Sequence, residues 1–181
     1  MKKKILILKG SPQKNGNCAM LADQVNRGAQ QMGAQVDSYL LHEMDIRPCN
    51  ACNTCLQSGG VCIVKDDMQL LYPKIKQADA LVIASPVYWY TMSAQVKLFI
   101  DRWYALETVR NQVWPGKQVG LIVTYNAGPY DAVRTLEGIF SYLGMNIVET
   151  IHGTARRIDE VEKHTVLKER AYKLGQVLGN K

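Results

Sequence analysis

A chain of 181 residues has the usual length of one domain, and its 47% hydrophobic and 21% charged residues are ordinary for a globular protein. No apolar run approaches the roughly 20 residues that cross a bilayer, and the run at residues 5–8 is shorter than the roughly 7–15 apolar residues of a signal peptide. The net charge of +6 is dispersed and does not alternate with aromatic residues, which argues against nucleic-acid binding. We therefore expect a cytoplasmic protein with neither a membrane segment nor a nucleic-acid partner.

Strand and helix patterns alternate along the whole chain. Apolar runs predict strands over residues 4–9, 35–41, 80–84, 118–124 and 146–151. Helical periodicity predicts helices over residues 16–32, 94–104, 129–143 and 159–178, and Ser93 is the predicted cap of the helix over 94–104. A further helix, irregular or short because Pro73 lies in its first two turns, is predicted to follow the capping acids Asp66 and Asp67. Between the second strand and the second helix lies an irregular, cysteine-rich loop, residues 42–65.

Such alternation predicts an α/β fold, in which a parallel sheet carries helices on both faces. Five strands and five helices fit the flavodoxin-like arrangement with strand order 2-1-3-4-5, in one domain over residues 1–181. Ligands of such a sheet bind beyond the carboxyl ends of the strands, at the switch between strands 1 and 3. The loops after Lys9, Ala84 and Thr124 are therefore the candidate binding loops.

The loop after the first strand reads GSPQKNGNC from Gly10 and leads directly into a helix. Its glycines and polar side chains direct N–H groups and hydroxyls toward the positive end of the helix dipole, as a phosphate requires. It is neither a GxGxxG motif nor a loop ending in GK[ST]. The alternative is an ordinary polar turn with Asn17 as the helix cap. Cys18 is either a thiol of lowered pKa at a helix start or a small residue in a tight turn, and we favour the second.

The loop after the third strand reads SPVYWYTMSA from Ser85 and contains three successive aromatic residues. Tyr88, Trp89 and Tyr90 can stack against a flat heterocycle, and Pro86 stiffens the approach. The alternative is a buried turn or a subunit contact. Together with a phosphate loop on the neighbouring strand, the aromatic loop predicts a site for a mononucleotide that carries a flat ring.

Three segments, KGSPQKNGN, PCNACNTC…C-IVKDDM and SPVYWYTMSAQVKLFIDR, occur in this order over rather more than the first half of the chain. Together they resemble the NADPH-dependent FMN reductase and iron–sulfur flavoprotein branch of the flavodoxin-like superfamily. The resemblance implies non-covalently bound FMN. It places the phosphate at Ser11, Gln13, Asn15, Asn17 and Cys18. It places the isoalloxazine ring at Pro86, Val87, Tyr88, Trp89, Tyr90, Thr91 and Met92, with Thr124, Tyr125, Asn126 and Gly128 on one side.

Two residues of the phosphate loop depart from this family pattern. Gln13 stands where relatives often have Arg or Lys, and Cys18 where they often have Ser or Thr. Because Gln13 lacks a positive charge and Cys18 is a weaker hydrogen-bond donor, we expect this loop to bind the phosphate with lower affinity.

Four of the five cysteines, Cys49, Cys52, Cys55 and Cys62, have the spacing C-x2-C-x2-C-x6-C. The first three resemble the start of bacterial ferredoxin cluster runs, whereas zinc sites more often use two separated C-x2-C pairs. The family resemblance implies a [4Fe–4S] cluster in some relatives and a flavin-adjacent loop with free thiols in others. Zinc or a redox-active disulfide is the third interpretation. Near these thiols in sequence, the only cations are Arg47 and Lys65.

The resemblance therefore predicts an NAD(P)H-dependent FMN or quinone reductase, which takes electrons from a reduced nicotinamide or a ferredoxin-type donor. No recognisable motif indicates the electron acceptor or a preference for NADPH over NADH. The three histidines, His42, His152 and His164, are scattered along the chain and suggest no catalytic acid or base. The alternatives are a non-catalytic flavodoxin-like electron carrier, against which the basic charge counts, and a protein that senses redox state through its cysteines.

A high content of large aromatic residues predicts self-association. The residues concerned are Trp89, Tyr90, Trp103, Tyr104 and Trp114. The family resemblance implies a homodimer or homotetramer with FMN near the interface.

Overall fold

The computed structural model describes residues 2–158 and 160–180. Its strands are β1 (Lys4–Lys9), β2 (Gln35–Leu40), β3 (Ala80–Tyr88), β4 (Thr91–Met92), β5 (Gln118–Tyr125) and β6 (Asn146–Thr154). Its α-helices are α1 (Asn17–Gln31), α2 (Thr54–Gln57), α3 (Met68–Gln77), α4 (Ala94–Asp101), α5 (Arg110–Val113), α6 (Tyr130–Tyr142) and α7 (Thr165–Gly179). Short 3₁₀ segments cover Leu41–Glu43, Arg102–Val109 and Glu160–Lys163.

The five long strands form a parallel sheet in the order β2-β1-β3-β5-β6. Counting only these five, the order is the predicted 2-1-3-4-5. The last residue of β1, Lys9, pairs with Ala84, and Pro86 pairs with Thr124 of β5. The carboxyl ends of the three central strands therefore reach the same edge of the sheet, and the loops that follow them meet there.

The apolar strands bury both of their faces because side chains alternate along a strand. In β1, Ile5 and Ile7 pack with α1 and α7, whereas Leu6 and Leu8 pack with α3, α4 and α6. The helices α1 and α7 contact each other closely through small residues. A Cβ atom on Gly175 of α7 would lie 2.0 Å from the carbonyl oxygen of Val25 in α1. This close contact holds α1, whose start borders the candidate site, against α7.

The structure corrects the predicted loop after the third strand. β3 continues past Ala84 to Tyr88 and turns back antiparallel into β4, with Val87 paired to Met92. The hydroxyl of Ser85 accepts a hydrogen bond of 3.0 Å from the Ser93 amide. This bond across the base of the hairpin holds the two chain segments together where a loop was predicted.

Two helix predictions also change. The helix that follows Ser93 is α-helical only to Asp101 and continues as a 3₁₀ helix. Its predicted cap is confirmed, because the Ser93 hydroxyl accepts a hydrogen bond from the Val96 amide. The final helix was predicted from residue 159, which lies outside the described residues, and α7 begins at Thr165. No helix in the described ranges is both long and apolar enough to span a bilayer.

Two tryptophans that were expected to be exposed belong to the core. Trp103 and Trp114 are buried, and Trp103 packs against Phe99, Phe140 and Trp114 with ring centroids 4.9 to 5.7 Å apart. Trp103 lies in the 3₁₀ segment after α4, and Trp114 follows α5 directly. Only three of the five aromatic residues named for self-association, Trp89, Tyr90 and Tyr104, are exposed.

Candidate functional site

A cleft of about 200 Å³ opens at the carboxyl edge of the sheet. The predicted residues that line it are Ser11, Gln13, Asn17, Cys18, Pro86, Val87, Tyr88, Thr124, Tyr125 and Asn126. Other predicted residues, Asn15, Trp89, Tyr90, Thr91, Met92 and Gly128, do not line it. A fourth segment that was not predicted, residues 155–158 after β6, completes the wall. The fold thus brings all three predicted loops to one cleft.

The first wall of the cleft is the start of α1. Gly16 is the N-cap residue and provides no side-chain cap, so Asn17 is the first helical residue and not the cap. The Met20 amide donates to the Gly16 carbonyl at 3.0 Å. The amides of residues 17–19 precede that bond and have no intrahelical acceptor, which leaves them able to donate to an anion.

The side chain of Asn17 links α1 to the segment after β6. Its Nδ2 donates to the Arg157 carbonyl oxygen at 2.6 Å, and its Oδ1 accepts from the Val161 amide at 2.9 Å. Both polar atoms of this side chain are therefore engaged by backbone groups. The backbone amide of Asn17 and the second hydrogen of its Nδ2 remain available to donate to a ligand in the cleft.

This link places two arginines, Arg156 and Arg157, in the wall of the cleft, with both side chains exposed. Glu160 accepts from the amides of both residues, and these hydrogen bonds, that of Arg157 first, lower the pKa of its carboxyl group. Sequence reasoning counted these arginines among dispersed charges. Their position directly after the fifth parallel strand was the available signal, because that strand ends at the same edge of the sheet.

Cys18 is buried against β5. Its Sγ lies 2.9 Å from Oγ1 of Thr124, and burial raises the pKa of the thiol to about 11, although the hydrogen bonds to Thr124 lower it. The thiol is neutral at physiological pH. Cys18 is therefore a small buried residue, as favoured from the sequence, and not a thiol of lowered pKa.

The hairpin between β3 and β4 holds two aromatic residues in an unusual backbone conformation. Trp89 and Tyr90 have φ angles of 49° and 69°, a left-handed region that costs a non-glycine residue about 1–2 kcal/mol. Trp89 is 92% exposed, so no packing of its ring offsets this cost. The ring of Tyr90 lies against Gly128, and Met92 is buried in the core. The tip of the hairpin thus presents aromatic rings outside the cleft.

The four clustered cysteines line a second, smaller cavity of about 20 Å³. Cys49 and Cys52 are exposed, Cys62 is half-buried and Cys55 is buried, and all are free thiols. Gly60 enables the loop to pack closely, because a Cβ atom there would lie 2.9 Å from the Ala105 carbonyl. Among the described residues, no three His, Cys, Asp or Glu side chains are arranged to hold a single metal ion. The four thiols therefore line one cavity, but they are not placed to bind a single metal ion together.

The cation beside these thiols is Arg102, which sequence reasoning missed. Its Nη2 lies 3.3 Å from Sγ of Cys62, whereas the Arg47 guanidinium binds the Lys65 carbonyl. Arg102 forms an ion pair with Asp66 in which the two side chains are only 1% and 0% exposed. Burial favours the neutral Asp66 carboxyl, but hydrogen bonds from Arg102 and the Arg47 amide hold its pKa below the usual value.

Comparison with known proteins relates the chain to flavoproteins. A family model described as NADPH-dependent FMN reductase matches residues 3–156. An iron–sulfur flavoprotein from Methanosarcina thermophila is 29% identical over 184 residues, which covers 97% of this chain and 95% of that protein. An iron–sulfur flavoprotein from Archaeoglobus fulgidus is 36% identical over 116 residues, which covers 64% of this chain and only 51% of that protein.

The fold has solved counterparts as well. A flavodoxin from the domain Archaea superposes with a TM-score of 0.61 at 14% sequence identity, and the match covers 97% of this chain and 96% of that one. At this identity the likeness concerns the fold alone, and it agrees with the flavodoxin-like architecture predicted from the sequence.

Proposed function

The chain belongs to the family of NADPH-dependent FMN reductases, and we propose that it is an FMN-dependent oxidoreductase whose cofactor binds in the cleft at the carboxyl edge of the sheet. Electrons come from NADPH or NADH, or from a ferredoxin-type protein, and pass to an acceptor. The observation that carries this proposal is the convergence of the loops after β1, β3 and β5 on one cleft. In a sheet of this kind that edge is where ligands bind.

The start of α1 fits the phosphate group of FMN. The amides of its first turn, which have no intrahelical acceptor, and the hydroxyl of Ser11 lie at the positive end of the helix dipole. Arg156 and Arg157 supply the positive charge that Gln13 does not. The full set of proposed phosphate contacts is Ser11, Gln13, Asn15, Asn17, Cys18, Arg156 and Arg157.

The isoalloxazine ring is assigned to the region between the β3–β4 hairpin and the loop after β5. A cleft of about 200 Å³ is smaller than the roughly 300–1,000 Å³ typical of small-molecule sites, so the ring extends from it toward the hairpin. Bound FMN supplies acceptance of a hydride and release of one or two electrons. The described residues that line the cleft include no carboxylate and no histidine, and we assign none of them as a general acid or base.

The test is FMN binding followed by steady-state oxidation of NADPH and NADH with quinone, azo or ferric acceptors. We expect about one FMN per chain with micromolar or tighter affinity, and turnover with at least one acceptor. Failure to take up FMN would refute the proposal. FMN binding without nicotinamide oxidation would favour the electron-carrier alternative.

We also propose that Cys49, Cys52, Cys55 and Cys62 hold a [4Fe–4S] cluster. All four thiols line one cavity, and thiolates are the ligands that iron–sulfur clusters use. A cluster holds its thiolates farther apart than one metal ion does, because four irons lie between them. Protein purified without oxygen should contain about four irons and four sulfides per chain. FMN without iron would instead indicate a loop of free thiols.

The protein is further proposed to form a homodimer or homotetramer. A groove of about 830 Å³ between the 3₁₀ segment after α4 and the helix α6 is lined by Trp103, Tyr104 and Tyr142, and by the charged Glu107 and Arg134. Large apolar patches on a protein surface commonly mark association sites. Light scattering at micromolar concentration should give a multiple of the 20.3 kDa chain mass. A monomeric mass would contradict this proposal.

A cytoplasmic location follows from the thiol chemistry and is likewise a proposal. An odd number of cysteines, none of them paired in a disulfide, is typical of proteins of a reducing compartment, whether the thiols are free or bind a cluster. Fractionation of cells that produce the protein should recover it with cytoplasmic markers, and recovery from an oxidising compartment would refute this location.

A further inference from the structure

The buried ion pair between Asp66 and Arg102 has a third member. Arg102 binds Asp66 through both terminal nitrogens: Nη1 donates to Oδ2, and Nη2 to Oδ1 at 3.2 Å. Nη1 also donates to the Arg47 carbonyl at 2.8 Å, and Nη2 reaches Sγ of Cys62 at 3.3 Å. A single guanidinium therefore joins the start of α3, the segment before the cysteines and one of the cysteines.

The carboxylate of Asp66 is itself fixed. Its Oδ2 accepts from the Arg47 amide at 3.0 Å, and its Oδ1 accepts from the Met68 amide at 3.1 Å, at the start of α3. With these bonds and those of Arg102, the buried carboxylate is fully satisfied. The guanidinium consequently has one orientation, in which the second hydrogen of Nη2 points to Cys62.

Cys62 is held from its backbone as well. Nε2 of Gln69 donates to the Cys62 carbonyl at 2.9 Å and to the Val64 carbonyl at 2.8 Å. The Tyr72 hydroxyl donates to the Arg102 carbonyl at 3.0 Å, which ties α3 to the 3₁₀ segment that carries the arginine. The sulfur of Cys62 and the guanidinium of Arg102 therefore face each other in a rigid frame, and both line the four-cysteine cavity.

Stability alone does not explain such a pair. Desolvation of two charges is costly, and well-packed apolar residues of similar volume often stabilise a core equally well. An apolar pair, however, could neither donate to a sulfur nor place positive charge in the cavity wall. Hydrogen bonds to ligand sulfurs and local charge are among the main determinants of iron–sulfur cluster potentials.

We propose that Arg102, oriented by Asp66, is a positioning residue of the four-cysteine cavity: it fixes the sulfur of Cys62 and supplies the cation beside the cluster. This inference rests on the proposed cluster. The cation opposes the negative charge that a thiolate-ligated cluster gains on reduction, and so favours its reduced form.

The test compares anaerobically purified holoprotein of the wild type with two variants. Arg102→Lys keeps a cation for Asp66, but one nitrogen cannot also reach Cys62 and the Arg47 carbonyl. The double variant Asp66→Asn with Arg102→Gln removes both charges together and leaves neither unpaired. Arg110→Lys is the matched control, because Arg110 pairs with Glu107 outside the cavity.

We measure three quantities on each protein: iron per chain, FMN per chain and the midpoint potential of the cluster. The potential is determined by a redox titration monitored by electron paramagnetic resonance. In the double variant we expect the equilibrium constant for reduction of the cluster to fall about tenfold. For a one-electron couple this lowers the midpoint potential by about 59 mV. Arg102→Lys should show a smaller fall in the same direction. FMN content should stay at the wild-type value in both, which shows that the change in potential does not come from a general loss of structure. Folded variants with wild-type iron content and potential would overturn the inference.

A second measurement needs no variant. Wild-type protein labelled with ¹⁵N at the arginine guanidinium groups, and reduced, should show ¹⁵N hyperfine coupling to the cluster, because the Arg102 nitrogen contacts a ligand sulfur. Absence of that coupling would overturn the inference even if both variants fail to fold. A wild type that holds FMN but no iron would overturn it together with the cluster, and would leave the flavin proposal intact.

Discussion

The side chain of Asn17 joins the first turn of α1 to the Arg157 carbonyl, 140 positions along the chain, by a hydrogen bond of 2.6 Å. The same side chain accepts from the buried Val161 amide. One residue thereby connects the candidate phosphate loop with the arginines on the opposite wall of the cleft.

Replacement of Asn17 with alanine should destabilise the protein and weaken FMN binding. The buried Val161 amide would lose its acceptor, which costs about 1–3 kcal/mol. Urea unfolding of FMN-free protein and titration with FMN measure the two effects. Asn26→Ala on the same helix is the control, because Oδ1 of Asn26 is buried without a hydrogen-bond partner among the described residues. Equal losses of unfolding free energy in the two variants would contradict the role given to Asn17.

Replacement of both Arg156 and Arg157 with glutamine should lower the affinity for FMN about tenfold or more, since charge-assisted contacts to a phosphate are worth about 1.5–3 kcal/mol. Riboflavin lacks the phosphate, so its affinity should not change. Fluorescence titration with both flavins measures this difference, and Arg27→Gln on the exposed side of α1 is the control. A parallel loss of FMN and riboflavin affinity would indicate a general disturbance of the cleft.

The tip of the β3–β4 hairpin should be more stable with residues suited to positive φ. In Trp89→Asn with Tyr90→Gly, the pair Asn-Gly prefers the two-residue turn in which both φ angles are positive. We expect the unfolding free energy to rise by about 1–2 kcal/mol. Turnover should fall, because the aromatic rings assigned to the flavin region are gone.

Trp89→Ala is the matched control for the hairpin. It removes a ring that is 92% exposed but leaves a non-glycine residue at a positive φ angle. It should therefore lower turnover with little gain in unfolding free energy. Thermal and urea unfolding separate the two variants. If the Asn-Gly variant is no more stable than Trp89→Ala, the hairpin is not strained.

The pH dependence of stability should reveal the buried thiol of Cys18. Burial raises its pKa from 9.0 to about 11, so below pH 9 the thiol is protonated in both the folded and unfolded states. Between about pH 9 and 11 the unfolded thiol ionises and the folded one does not, and stability falls as pH rises. At about 1.4 kcal/mol for each pKa unit, the loss is about 2–3 kcal/mol.

Cys18→Ser isolates this contribution, because serine keeps a hydroxyl for Thr124 and does not titrate in this range. The difference in unfolding free energy between the wild type and this variant should shrink across pH 9–11. A difference that is independent of pH would mean that the Cys18 thiol is not buried as described.

The order of elements and the candidate cleft could be predicted from the sequence because their signals are local. An apolar run such as residues 80–84, between Asp79 and Ser85-Pro86, marks a buried strand wherever it occurs. The strand order then fixes which loops meet, and residues as far apart as Ser11 and Asn126 line one cleft. The extension of β3 to Tyr88 was missed because Ser85-Pro86 is also a common turn signal.

The chain's own sequence determined a parallel α/β sheet, a polar loop at the start of α1, an aromatic segment after the third strand and four thiols in one loop. Only the tertiary structure decided that Trp103 and Trp114 belong to the core, that Arg156 and Arg157 line the same cleft as the loop after β1, and that Arg102 lies against Cys62. The physical reason is that periodicity and turn signals depend on residues that are neighbours in sequence. Burial and contacts between distant side chains, such as Arg102 and Cys62, are established only when the whole chain has folded.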